Sequence, residues 1–188
     1  MKFNIPNLVT LLRILVIPIF VLVFYLPFKH HHLVSAIIFA AAAFTDFLDG
    51  YLARKLKQVS PLGEFLDPVA DKLIVAVSLV LLVQSYPSPW LAIPAVIIVS
   101  REIVISALRE WMSELGKRQR VAVKGLAKFK TAAQMLAIWL LLAADPGAFS
   151  WITWSGYVLI YIAAILTLWT MILYLRIAAE ELRKEDTF

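Results

Sequence analysis

Cysteine is absent from the chain, which removes disulfides, thiolate catalysis and Cys-ligated zinc or iron–sulfur sites while leaving the compartment open. No segment alternates apolar and polar residues with the two-residue period of a half-buried strand, no low-complexity linker divides the chain, and no internal repeat is visible. Aromatic and basic residues do not interleave into a stacking platform, so the formal net charge of +5 does not point to nucleic acid. The first apolar run is too long for a signal peptide and has no small-residue cleavage pattern close behind it. What remains is hydrophobic. Apolar residues make up 62% of the 188, and the mean hydropathy of +0.83 excludes an ordinary soluble domain.

Apolar runs separated by short polar breaks predict an all-α, polytopic membrane protein, one domain over residues 1–188. Six spanning helices are expected near 8–26, 33–56, 68–86, 90–111, 126–144 and 151–175, each close to the roughly 20 residues that a bilayer requires. Arg54, Lys55 and Lys57 follow the second run, and Lys117, Arg118, Arg120, Lys124, Lys128 and Lys130 lie between the fourth and fifth. The opposite connections offer only Lys29, the turn Pro87-Ser88-Pro89 and the turn Asp145-Pro146-Gly147. By the bias of Lys and Arg, both termini face the cytoplasm, and that basic face suits anionic lipid head groups. His30, His31 and His32 are expected in a solvated loop rather than at a metal. Trp90, Trp151 and Trp154 are expected at the outer interface and Trp111 at the inner one. Pro18 and Pro94 interrupt the first and fourth runs, and residues 176–188 are expected to extend the last helix into the cytoplasm.

Within this apolar frame stand four carboxylates: Asp46 and Asp49 on the second helix, Asp67 and Asp71 on or beside the third. Spacings of three and four residues put each pair on one helical face. An isolated carboxylate in a bilayer segment costs roughly a few kcal/mol, so these acids need a cavity and partners. Oxygen ligands without Cys or His suit hard ions such as Mg²⁺, Mn²⁺ or Ca²⁺, and four carboxylates suit two ions better than one. Two ions about 4 Å apart clamp the attacking and leaving oxygens of a phosphoryl transfer. Gly50 and Ala53 let a ligand or helix approach the backbone, and Arg54 offers a fork for phosphate. Taken singly, Asp67 before Pro68 reads equally as a helix N-cap with Pro at the first position, and Asp46 as a structural acid paired with an Arg. A divalent-cation channel also places acids in a bundle, but it gains nothing from Arg54 beside them.

Cations complete the candidate site. Arg101 and Glu102 lie about ten residues inside the cytoplasmic end of the fourth helix, roughly 15 Å deep at 1.5 Å per residue. An Arg at that depth either serves a site or pairs with an acid such as Glu102 from a neighbouring helix. Arg109, two turns further out, is open to simple snorkelling. Lys128 and Lys130 either reach a phosphate or mark the membrane boundary. Asn7, Thr10 and Arg13 recur every three residues, a polar strip expected to face the acidic cavity and to offer donors to an anionic head group.

The spacing Asp46-x-x-Asp49-Gly50-x-x-Ala53-Arg54, eight residues, then Gly63-x-x-x-Asp67-x-x-x-Asp71 resembles the signature of the CDP-alcohol phosphotransferases at all nine fixed positions. The resemblance implies transfer of a substituted phosphate from a CDP-linked donor to an alcohol with release of CMP, by means of two divalent ions, Mg²⁺ with Mn²⁺ as the alternative. It implies Asp46, Asp49, Asp67 and Asp71 as metal ligands, Asp71 also as general base, and Gly50, Ala53, Arg54 and Gly63 at the nucleotide, where Asn7, Thr10 and Arg13 are added as lipid-donor contacts. Residues 4–13 and 101–111, with Gly116-Lys117-Arg118, Val121-Ala122-Val123 and Lys128-Phe129-Lys130-Thr131, resemble bacterial members that use CDP-diacylglycerol and sn-glycerol 3-phosphate, while Gln119-Arg120 and Lys124-Gly125 depart from them. The acceptor phosphate is then expected on Arg101, Arg109, Arg118, Lys128 and Lys130. A homodimer in the bacterial cytoplasmic membrane, with its site facing the cytoplasm, completes what the resemblance implies.

Overall fold

The structure, a computed structural model, describes residues 5–56, 61–115, 124–147 and 150–183; side chains at 5–9, 46–56, 61–62, 64–65, 67, 124–128 and 181–182 lie outside it. Six helices carry the chain: α1 (Ile5–Tyr25), α2 (His31–Leu56), α3 (Pro61–Ser85), α4 (Pro89–Glu114), α5 (Lys124–Ala143) and α6 (Trp151–Arg183). Among the described residues there is no strand.

Local chemistry sets the reversals. Ser88 caps α4, its hydroxyl accepting from the Trp90 amide at 3.3 Å, and Pro89 follows where no backbone donor is needed. Between α5 and α6 the Asp145 carboxylate accepts from the Gly147 amide at 3.0 Å, an Asx turn. The Tyr86 hydroxyl reaches the carbonyls of Leu141 (3.1 Å) and Ala144 (3.3 Å), where the end of α5 has run out of amide partners.

Two expectations need correction. α3 starts at Pro61, not at residue 68, so Pro68 lies inside the helix and Asp67 is not its N-cap. Pro61 sits at the helix start, where its missing donor costs nothing, and Pro68 forgoes one hydrogen bond to the first turn. His31 and His32 open α2 rather than lying in a solvated loop. The connection is short enough that both rings pack back against Phe24, and His31 Nδ1 donates to the Phe24 carbonyl at 2.9 Å. α6 continues to Arg183, in keeping with the helical extension expected beyond residue 175. Pro18 and Pro94 lie inside α1 and α4, each of which runs on through its proline.

α1 packs on α2 and α3, α2 also on α3 and α5, α3 on α4 and α5, and α6 on both α4 and α5. One contiguous core draws on all six helices, with Phe20, Phe39, Leu79, Leu91, Ile138 and Ile160 fully buried. The outward faces are equally apolar, as Leu22, Val80, Val96, Ile103 and Ile165 show. Three stretches, Pro68–Ser85, Pro89–Glu114 and Trp151–Glu180, are long and apolar enough to cross a bilayer; shorter apolar helices cover Thr10–Tyr25, His31–Thr45 and Phe129–Ala143. This is a membrane protein. Trp90, Trp151 and Trp154 are exposed near the helix ends that the Ser88 and Asp145 turns join, and Trp111 is exposed near the far end of α4.

Lipid gives helices no hydrophobic reason to associate, so close backbone approach matters. Gly156 of α6 supplies it: a Cβ there would stand 2.7 Å from Cγ and 2.8 Å from Cδ2 of the fully buried Leu141 on α5. Gly156→Val is expected to destabilise the protein by about 1–3 kcal/mol through overpacking. Thermal unfolding in detergent checks this, and adding Leu141→Ala should restore part of the loss; an unchanged midpoint for the single variant would refute the tight contact.

Candidate active site

The acidic half is built by a helix pair. α2 carries Asp46, Asp49, Gly50, Ala53 and Arg54 toward its C-terminal end, and α3 carries Gly63, Asp67 and Asp71 toward its N-terminal end. The two helices touch, and each carries its acids in the part nearest the other along the chain. Because α3 begins early, the buried Gly63 shares a helical face with Asp67 and Asp71 at spacings of four and eight. Of the four acid side chains the structure describes Asp71; those of Asp46, Asp49 and Asp67, with Ala53 and Arg54, lie outside the described residues.

Asp71 meets the polar strip of α1. Arg13 Nη1 donates to Asp71 Oδ1 at 2.7 Å, with the Arg13 side chain 1% exposed and the Asp71 side chain 44%. A buried guanidinium needs an acid, and the acid it takes belongs to the motif. Thr10 is buried one turn from Arg13 on the same face of α1; the Asn7 side chain lies outside the described residues.

The basic half joins α4, α5 and α6. Glu102 Oε1 accepts from Arg101 Nη1 at 2.9 Å and from Lys130 Nζ of α5 at 3.1 Å. Arg101 Nη2 reaches Thr170 Oγ1 of α6 at 3.4 Å, and the guanidinium carbon lies 5.8 Å from the centroid of the Tyr174 ring. Arg101 and Lys130 are both buried, whereas Glu102 is the more open member at 23% side-chain exposure. Lys130 therefore does not mark the membrane boundary. Arg101 does pair with Glu102, but on its own helix, and Lys130 supplies the link to a neighbouring one. Arg109 is exposed; its Nε donates to the Ile105 carbonyl of its own helix at 3.4 Å, and no hydrogen bond ties it to Arg101 or Lys130. Lys128 lies on α5 with its side chain outside the described residues, and Arg118 lies outside them altogether.

Several polar residues around this centre went unread in the sequence. Thr167, Thr170 and Tyr174 recur at intervals of three and four along the apolar α6, and Gln134 follows Lys130 by one turn of α5. That periodicity was available as a signal. Gln134 and Thr167 are buried, and Gln134 Oε1, Thr167 Oγ1 and Arg101 Nε have no hydrogen-bond partner. A buried polar set left open on three helices is what a pocket for a polar, anionic ligand requires.

The donor set on α2 and α3 fits a hard divalent ion: carboxylate oxygens alone, on adjoining turns of two touching helices. Among the described residues no three ligand side chains stand together, since three of these four acids lie outside them.

Acid-bearing α2 and α3 and a buried basic cluster on α4 and α5 thus stand in one bundle. A family model for CDP-alcohol phosphatidyltransferases matches residues 3–173, and the chain belongs to that family. Among its relatives, proteins named CDP-diacylglycerol–glycerol-3-phosphate 3-phosphatidyltransferase are similar over 183 residues, 97% of this chain. The one from Pseudomonas fluorescens is 56% identical with 93% of its length covered, that from Salmonella typhimurium 52% with 98%, and that from Escherichia coli K12 51% with 98%.

Proposed function

We propose that the protein transfers the phosphatidyl group of CDP-diacylglycerol to sn-glycerol 3-phosphate, giving phosphatidylglycerophosphate and CMP. The relatives' shared name over nearly the whole chain supports the reaction. The observation that carries the choice of acceptor is the buried pair Arg101 and Lys130, because a neutral alcohol has no use for two desolvated cations.

In this reading Asp46, Asp49, Asp67 and Asp71 would hold two divalent ions, Mg²⁺ or alternatively Mn²⁺, which would supply positive charge to the pyrophosphate and to the leaving CMP. Asn7, Thr10, Arg13, Gly50, Ala53, Arg54 and Gly63 receive the CDP-lipid, whose acyl chains stay in the bilayer. Arg13 holds Asp71 in place. Arg101 and Lys130, with Arg109, Arg118 and Lys128 as further basic residues of that face, bind the acceptor's phosphate. Asp71 takes the proton of the acceptor's primary hydroxyl, the oxygen attacks the phosphorus that carries diacylglycerol, and the bond to CMP breaks. The chain forms one domain of six spans with both termini cytoplasmic, in the bacterial inner membrane beside anionic lipids, as a homodimer; the Lys and Arg between α4 and α5 and after α2 support that orientation.

Detergent-solubilised protein supplied with CDP-diacylglycerol and a panel of alcohols tests the reading. CMP release is expected with sn-glycerol 3-phosphate and not with choline, ethanolamine or inositol; release with a neutral acceptor alone, or cation flux in liposomes without release, would overturn it. Arg101→Ala is expected to raise KM for glycerol 3-phosphate at least about tenfold, as losing a charged contact does, with little change for CDP-diacylglycerol. Equal changes for both substrates would make Arg101 a structural residue.

A further inference from the structure

We infer that Glu102 is the internal counter-ion of the acceptor pocket: it holds Arg101 and Lys130 together when the pocket is empty and gives way to a dianionic phosphate when the acceptor binds. The inference rests on the acceptor reading above and adds a positioning residue that neither the family signature nor the basic residues contain.

Helix geometry argues first. Consecutive residues on a helix point about 100° apart, so Arg101 and Glu102 are not facing neighbours. Their 2.9 Å contact exists because both side chains turn toward Lys130 of α5, which meets the same carboxylate oxygen at 3.1 Å. Two buried like charges thus converge on one oxygen. Without an anion between them they would repel in a poorly solvated place, so an acid is required whenever no ligand is there.

The contact is also incomplete in a way a structural ion pair is not. Arg101 Nε has no hydrogen-bond partner, its Nη2 bond to Thr170 is long at 3.4 Å, and Gln134 Oε1 and Thr167 Oγ1, one turn deeper on α5 and α6, are likewise unpartnered. One carboxylate oxygen cannot use this many donors and acceptors; a phosphate with several oxygens, carrying a hydroxylated carbon chain, can. Glu102 is the most solvent-exposed of the three charged side chains, and its natural direction on α4 is away from Arg101, so it is the member that can leave. Charge closes the argument. The trio carries a net single positive charge with Glu102 in place, while the two cations alone match a dianion.

The test uses the intact protein in detergent with inorganic phosphate as probe, measured as a competitor of sn-glycerol 3-phosphate in CMP release and as a ligand that raises the unfolding temperature. Glu102→Gln is expected to lower the inhibition constant of phosphate and the KM of glycerol 3-phosphate at least about tenfold, a conservative figure for removing one close negative charge. KM for CDP-diacylglycerol should not move. Lys130→Met should weaken phosphate in the same assays. If phosphate does not compete even in the unaltered protein, the acceptor reading fails and takes this inference with it. If phosphate competes there but Glu102→Gln leaves its affinity unchanged or weaker, the acceptor reading stands and Glu102 is only a structural tie. Should Glu102→Gln fail to fold, Glu102→Asp keeps the charge on an arm one methylene shorter that cannot serve both cations. It should still bind phosphate more tightly than the parent, and equal or weaker binding counts against the inference.

Discussion

Asp49→Asn and Asp67→Asn are each expected to abolish CMP release, a fall of about 10³-fold or more if one ion site supplies several kcal/mol of transition-state stabilisation. The reason lies in where the acids stand: toward the C-terminal end of α2 and the N-terminal end of α3, two helices that touch. In the proposed site four carboxylates would repel one another, and Arg13 pairs with one of them, Asp71. Stability has the opposite sign to activity. In a chelator, neutralising one acid relieves repulsion, so either variant should melt at or above the parent. With millimolar Mg²⁺ the parent should gain more than the variant, because a ligand stabilises the state that binds it. Activity and melting curves, each with and without Mg²⁺, decide the matter. Full turnover of the parent in chelator, or of either variant with Mg²⁺, would remove the ions from the reaction.

Asp71→Asn tests a different property of the same cluster. Its amide keeps an oxygen for Arg13 and for an ion but can no longer take a proton from the acceptor hydroxyl. Turnover is expected to fall by the roughly 10²–10⁴ typical of losing a general base, while affinity for CDP-diacylglycerol is retained. The Arg13–Asp71 contact at 2.7 Å supplies a control. Arg13→Gln removes one contact of the base and leaves the base itself, so it should lower turnover less than Asp71→Asn does. Donor binding and rate measured on one preparation separate the roles. If donor and ion binding vanish together with the rate, Asp71 is a ligand and not a base.

Much of this protein is written locally. Helix formation follows from uninterrupted apolar runs, and the reversals follow from Ser88-Pro89 and Asp145-Pro146-Gly147, whose hydrogen bonds span two residues. The pattern of the four acids is visible in the sequence because residue type and spacing within a helix are properties of sequence, while three of the four side chains lie outside the described residues. The start of α3 is not legible locally, because Pro68 is itself a good helix opener while the helix begins at Pro61.

The basic half was legible only as a set of candidates. Arg101, Glu102 and Lys130 are visible in the sequence, yet nothing within α4 makes Arg101 and Glu102 meet. They meet because α5 places Lys130 beside them and α6 adds Thr170 and Tyr174. In the same way the sequence shows Arg13 on a strip and Asp71 on a face, and only the contact of α1 with α3 makes them a pair. Residue type and helical period are one-dimensional quantities, so the chain alone determined which chemistry was present. Which charges neutralise which is a question of distance between helices, and that was decided by the packing of the bundle.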